Sequence, residues 1–315
     1  MRFPNFFFYF RKSEGQDRIF QFFMGTVALI SIIFLTLLLL YELIKGSIPS
    51  IQHFGYDFIF STAWNPVKDE FGALPFIFGT FVSSLLALLI GVPICLGIAV
   101  YVTEIAPPKI SAFISPLIEL LAAIPSVIIG LWGIFVFAPF VRDYISHFLI
   151  KYLGFLPLFE GPGYGLSMLT AGMVLAIMII PIVSSISREA LLAVPVLQKE
   201  AALALGATRF EAMIQVILPY ARGAIFGAVI LGLGRAIGET MAVTMVIGNR
   251  PEISSSILHP GYTMAAVIAN EFTEATANIY LASLIEIGLI LFVISVIVNA
   301  IARFITWKYL RIQEN

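Results

Sequence analysis

Six long apolar stretches constrain this chain more than any other feature of its sequence. They lie near residues 20–44, 74–101, 113–139, 166–186, 223–247 and 281–305. Each is long enough to cross roughly 30 Å of hydrocarbon, which takes about 20 helical residues. Inside a bilayer no water completes an open backbone, so runs of this length must close their hydrogen bonds within themselves, as helices do. The predicted fold class is therefore all-α, a polytopic membrane bundle of six transmembrane helices. Composition points the same way: 60% of residues are hydrophobic and 12% charged, against about 25% charged in a soluble domain. A net charge of −1 argues against a nucleic-acid partner. Cys95 is the only cysteine, which excludes a disulfide framework and a cysteine-based metal site. The apolar run Phe22–Leu40 is longer than a signal-peptide core and no small-residue cleavage site follows, so it reads as an uncleaved anchor.

Orientation follows from the basic residues on alternate sides of the spans. One side carries Arg2, Arg11, Lys12, Arg18, Lys109, Arg188, Lys199, Arg209, Arg222, Arg303, Lys308 and Arg311. The other carries Lys45, Lys68, Arg142, Lys151 and Arg250, while Arg235 lies within the fifth stretch. The first side is expected to be cytoplasmic. Residues 1–19 and 306–315 then form cytoplasmic ends, 20–305 one membrane domain, and 187–222 a cytoplasmic loop within it.

That loop is too long for a simple turn, and its pattern is helical. Val196–Leu205 is alanine-rich, Gly206 suits a turn, and Thr208 with Glu211 three residues on fits a capping box. The segment is predicted to form a helix–turn–helix beneath the membrane. Small residues mark where spans should touch, because helices in lipid associate through close packing: Gly79, Ser83, Ala87 and Gly91 on the second span, and Gly223, Gly227, Gly234 and Gly238 on the fifth. Pro93, Pro125 and Pro181 fall inside predicted spans, where bends are expected.

Within the loop stand Glu200-Ala201-Ala202, then Gly206, then Val216-Ile217-Leu218-Pro219. This spacing resembles the EAA signature of ABC importer permeases, with Val216 where isoleucine is usual. Alanine and glycine let a short helix seat closely in another protein, and Glu200 offers one polar anchor. An ordinary amphipathic surface helix is the plainer alternative. The resemblance extends through Trp64-Asn65-Pro66, Phe71–Thr80, Ala122-Ala123-Ile124-Pro125-Ser126, Gly130-Leu131-Trp132-Gly133 and Gly232–Ala242. These segments look like the PstC-type permeases of phosphate ABC importers. The resemblance implies a type I ABC importer permease fold and an assembly with a second, PstA-type permease, a pair of PstB-type ATP-binding subunits and an extracytoplasmic PstS-type phosphate-binding protein, in a bacterial inner membrane. Glu200, Ala201, Ala202 and Gly206 would couple the chain to the ATPase. No cofactor is implied for this chain, ATP belonging to the partner.

Ionisable residues inside spans are costly and point to function. Glu119, Arg235, Glu239 and Glu286 are the four cases. Arg235 is placed about 18 Å into its span, with Glu239 one helical turn further on the same face. The two could merely neutralise each other. A guanidinium can instead offer two parallel donors to a phosphate, and the resemblance places this Arg–Glu segment on the phosphate path. Glu119 and Glu286 suit either a path or a contact between helices. His53, His147 and His259 fall in three separate loops, which does not suit a metal site, and Cys95 reads as a small apolar filler. Phe6–Phe10, Trp307 and Tyr309 read as interfacial aromatics.

The chain has no G-x-x-x-x-G-K-[ST] phosphate cradle, so it cannot hold nucleotide in a P-loop, and no catalytic constellation is evident. The expected function is a non-enzymatic translocation subunit of an ATP-driven importer, with phosphate as substrate. Molybdate or sulfate are alternative oxyanions. An autonomous secondary transporter is a further alternative, but it would predict an internal repeat that is not evident.

Overall fold

The computed structural model describes residues 13–311, so the aromatic run Phe6–Phe10 lies outside it, as do the side chains of Trp307 and Tyr309. Six helices are long and apolar enough to span a membrane: span 1 up to Phe54, span 2 Leu74–Ile105, span 3 Ser126–Leu153, span 4 Met168–Leu192, span 5 Arg209–Gly238, and span 6 from Asn278. The architecture is an all-helical bundle, with one two-stranded hairpin among the described residues.

The centre is the packing of span 2 on span 4, flanked by span 5 on span 4 and by span 6 on span 1. Span 4 is the innermost helix; about two-thirds of its most apolar window is buried. The small-residue stripe on span 2 explains the closeness. A Cβ at Gly91 would lie 2.9 Å from the Ile179 side chain of span 4, and Ala87 and Ser83 are buried in line with it. On span 5 the expectation was different from the outcome. Gly227, Gly234 and Gly238 face open space, and the glycine that admits span 4 is Gly232, whose Cβ would meet Val183 at 2.7 Å.

Prolines set the irregularities. Pro139 and Pro219 each follow a π-helical turn, Gly133–Phe137 and Met213–Ile217, by two residues. A helical proline lacks an N–H and crowds the carbonyl four residues back. Those carbonyls belong to Phe135 and Gln215, the middle residues of the two wide turns, and widening relieves the clash. Pro125 does more than bend. It separates a helix at Pro108–Ala122 from span 3, so the stretch expected to cross at 113–139 is two elements, and the third crossing runs from Ser126 to Leu153.

At the end of the bundle opposite the 187–222 loop, the chain knits itself tightly. The hairpin pairs Trp64 with Phe71 and Asn65 with Glu70. Its aromatic face joins Phe58, Phe76, Tyr262 and Tyr280 in one buried cluster, with Trp64 packed against it. The Glu271 carboxylate accepts hydrogen bonds from Trp64 Nε1 (2.8 Å), Tyr280 Oη (2.6 Å) and Tyr262 Oη (3.2 Å). Burial drives the Tyr262 phenol well above its ordinary pKa, with Glu271 adding to the shift and a hydrogen bond from Asn270 opposing it. Gly79 lets span 2 touch the 261–264 strand-like segment, and Thr80 Oγ1 accepts from Met264 N at 3.0 Å. The Trp64–Thr80 segment is thus a structural clasp.

Candidate functional site

Span 5 does not run through 223–247 as one helix. It stops at Gly238, Glu239 takes an extended conformation (φ −71°, ψ 127°), and a short helix resumes at Met241–Val246. Gly232 packs against Val183 and Ile179, near the middle of span 4. Span 5 therefore ends about halfway through the bundle, with Arg235 in its last turn. Glu239 does not lie one turn above Arg235 on a continuous helical face, because the helix ends between them. No ion pair joins Arg235 and Glu239 among the described residues, so the structure shows no direct contact of the kind the alternative reading, mutual neutralisation, would use.

The break leaves the two groups without an ion pair between them among the described residues. Arg235 is half-buried, and its Nε is fully enclosed with no hydrogen-bond partner. Glu239 Oε1 accepts a long 3.5 Å bond from Ala242 N, and Thr240 Oγ1 turns back to the Gly238 carbonyl. An enclosed guanidinium N–H without an acceptor is uncomfortable in isolation, because its desolvation is not repaid by a bond. The resumed helix is held by span 3: a Cβ at Gly130 would meet Met245 and Ala242, and one at Gly133 would meet Val246. The Gly130–Gly133 motif is thereby explained as the seat of the broken helix.

The other candidates lie elsewhere. Glu119 is exposed on the Pro108–Ala122 helix, beside a cleft that it lines with Ser115, Ser184, Ser185 and Arg188, nearer the 187–222 loop. Glu286 is 6% exposed, at the contact of span 6 with span 1, and its Oε2 has no hydrogen-bond partner among the described residues. Four ionisable residues thus occupy three places, and only Arg235 and Glu239 share one.

The loop forms the expected helix–turn–helix. The first helix is Val196–Ala204, Gly206 turns with φ +90°, and Thr208 and Glu211 make a reciprocal capping box, with Thr208 N donating to Glu211 Oε2 at 2.7 Å. Two features were not foreseen. The second helix does not end near Leu218 but continues into span 5, so the loop and Arg235 share one helix of about 39 Å between Arg209 and Arg235. Lys199, not Glu200, makes the inward contact, an ion pair with Glu104 at the end of span 2. Glu200, Ala201 and Gly206 are exposed and Ala202 is buried. Uncovered apolar side chains surround them: Leu205 is 90% exposed, Leu197 77% and Phe210 74%. A sequence signal for the break did exist in Gly238-Glu239-Thr240, a glycine followed two residues later by threonine, a residue type favoured at helix N-caps. For Lys199–Glu104 no local signal exists, since the partners are distant in sequence.

Residues 91–309 match the family described as "Binding-protein-dependent transport system inner membrane component". The chain belongs to that family. It is a multi-pass inner-membrane, non-catalytic component of an ABC transport system, and such a system works with an ATPase and a periplasmic binding protein. Among relatives, it is 48% identical over 278 residues to the "Phosphate transport system permease protein PstC" of Xylella fastidiosa, covering 87% of this chain and 86% of that one. The protein of the same description from Haemophilus influenzae is 44% identical, covering 95% and 96%. The fold is shared with a bacterial alginate ABC transporter solved with an alginate pentasaccharide-bound periplasmic protein: TM-score 0.58 at 17% identity, covering 92% of this chain and 97% of that one.

Proposed function

We propose that this family member is the phosphate-translocating permease subunit of an ATP-driven importer, and that Arg235 at the broken end of span 5 marks the path of the ion. The observation that carries the reading is the enclosed, unpartnered Arg235 Nε beside Glu239, set at mid-bundle where the helix opens. The similarity to PstC proteins over most of both chains supports phosphate as the substrate. A guanidinium presents planar, paired donors to a tetrahedral oxyanion. Near neutral pH phosphate keeps a proton and sulfate has none, so Glu239 can accept a hydrogen bond from phosphate but repels sulfate. Arg235 lowers the barrier to an anion and Glu239 chooses which one passes. Glu119, beside Arg188 on the loop side, extends this path; Glu286 lies apart from it.

In this reading residues 20–305 form the translocation domain and 187–222 its coupling module, with both ends of the chain cytoplasmic, as the asymmetry of lysine and arginine supports. Glu200, Ala201 and Gly206 meet one of a pair of PstB-type ATPase subunits, with Ala202 seating their helix against the rest of the chain and the apolar collar of Leu197, Leu205 and Phe210 helping. A PstA-type permease completes the pore, and a PstS-type protein delivers phosphate from outside. The chain itself needs no cofactor. The test is selectivity in proteoliposomes containing the assembled complex. Glu239→Gln should let sulfate compete for phosphate uptake, while wild type excludes it. Unchanged exclusion of sulfate in the variant removes Glu239 from the path.

A further inference from the structure

The coupling helix Val196–Ala204 is short, and its neighbours Lys199 and Glu200 point in different directions because successive residues on a helix are turned by about 100°. Glu200 faces out and is exposed. Lys199 faces in, and its Nζ donates to Glu104 Oε1, both side chains being 21% exposed. Glu104 belongs to the π-helical turn Tyr101–Ile105 that ends span 2, just before Ala106 turns extended ahead of Pro107. Wide turns of this kind recur at functional positions, and here one carries the acidic side chain that pairs with the first arm of the loop.

The second arm of the loop is held differently. Met213 and Ile217 pack into an apolar cluster with Ala99 of span 2 and Leu191 and Val194 at the foot of span 4. That apolar contact is non-directional and fixes where the loop sits. The ion pair is directional, and it is the polar contact that fixes how far the first arm is rotated about its own axis. Rotation decides whether Glu200 faces the partner.

We propose that Lys199 and Glu104 are a positioning pair, setting the angle at which the coupling helix presents Glu200 to the ATPase and tying its motion to span 2. Movement of the ATPase then reaches two spans at once, span 2 through the ion pair and span 5 through chain continuity. The pair need not touch the ATPase itself, and the inference rests on the coupling reading given above.

The experiment uses the complete complex in proteoliposomes with its binding protein and measures ATP hydrolysed per phosphate taken up. Lys199→Ala and Glu104→Ala should each raise that ratio roughly three- to tenfold, as loosened pairing lets ATP be spent without transport. The exchange Lys199→Glu with Glu104→Lys restores the pair in reverse and should bring the ratio back near wild type. A wild-type ratio in both single variants overturns the proposal. So does an exchange variant no better than the worse single variant, including failure to assemble that the exchange does not repair. Uptake by the wild-type complex tests the transport reading separately, so failure of the pair and failure of that reading are distinguishable.

Discussion

Replacing Gly79 with alanine puts the clasp at the Leu74 end of span 2 under direct load. A Cβ built there lies 2.1 Å from the Tyr262 carbonyl oxygen and 2.9 Å from its carbon, against 3.4–4 Å for an ordinary contact. The obstacle is backbone, which cannot rotate aside as a side chain can. Span 2 and the 261–264 segment must separate by upward of 1 Å, and that stretches the 3.0 Å bond from Met264 N to Thr80 Oγ1 beyond hydrogen-bonding range. Overpacking of this kind costs about 1–3 kcal/mol, and a buried N–H left without a partner about 1–3 kcal/mol more. The sum, about 2–6 kcal/mol, is a large share of a marginal stability. Gly97 is the control on the same helix, because its Cβ meets nothing within 4 Å. Thermal melting of the detergent-purified protein should show Gly79→Ala clearly destabilised and Gly97→Ala close to wild type. Equal melting of the two variants refutes the clasp.

Three further outcomes follow from the same geometry. Gly206→Ala meets no atom but forces φ near +90° on a residue with a Cβ, which costs about 1–2 kcal/mol; it should weaken transport moderately, and Gly206→Pro should weaken it more, with unchanged uptake in both variants arguing against the turn. Trp64→Phe keeps the ring packing but removes the 2.8 Å bond to Glu271; the melting temperature should fall by the equivalent of about 1–3 kcal/mol, and no change would show the bond contributes nothing. In a Cys95→Ala background, a cysteine at Val67 (94% exposed) should label with a membrane-impermeant reagent from outside and one at Leu205 (90% exposed) only after permeabilisation; the reverse pattern inverts the orientation.

The parts of this protein that sequence disclosed are those governed by local chemistry. Six apolar runs follow from hydrocarbon thickness, and the helix–turn–helix of the loop follows from Gly206 and the Thr208–Glu211 cap. Register was less visible. A run of apolar residues cannot say where one helix stops and another begins, so 113–139 read as one crossing although Pro125 divides it, and 223–247 read as one helix although Glu239 leaves it. Tertiary contacts were out of reach. The stripe on span 2 was legible as a close-packing face, although of its glycines Gly79 meets the backbone at Tyr262 and only Gly91 meets span 4, whereas the open glycines of span 5 look identical in sequence to packed ones. Lys199–Glu104 and the three donors around Glu271 join residues that only the fold brings together. At the candidate site the identities of Arg235 and Glu239 were legible, and their relation was not.

The central claim is that Arg235 acts on the passing ion rather than on Glu239. Phosphate uptake by the reconstituted complex decides it when Arg235→Gln is compared with the double variant Arg235→Gln, Glu239→Gln. With no ion pair to restore, the account predicts that both lose uptake strongly while the complex still assembles. Recovery of near-normal uptake in the double variant would contradict it, since that result requires the two charges to do no more than cancel each other.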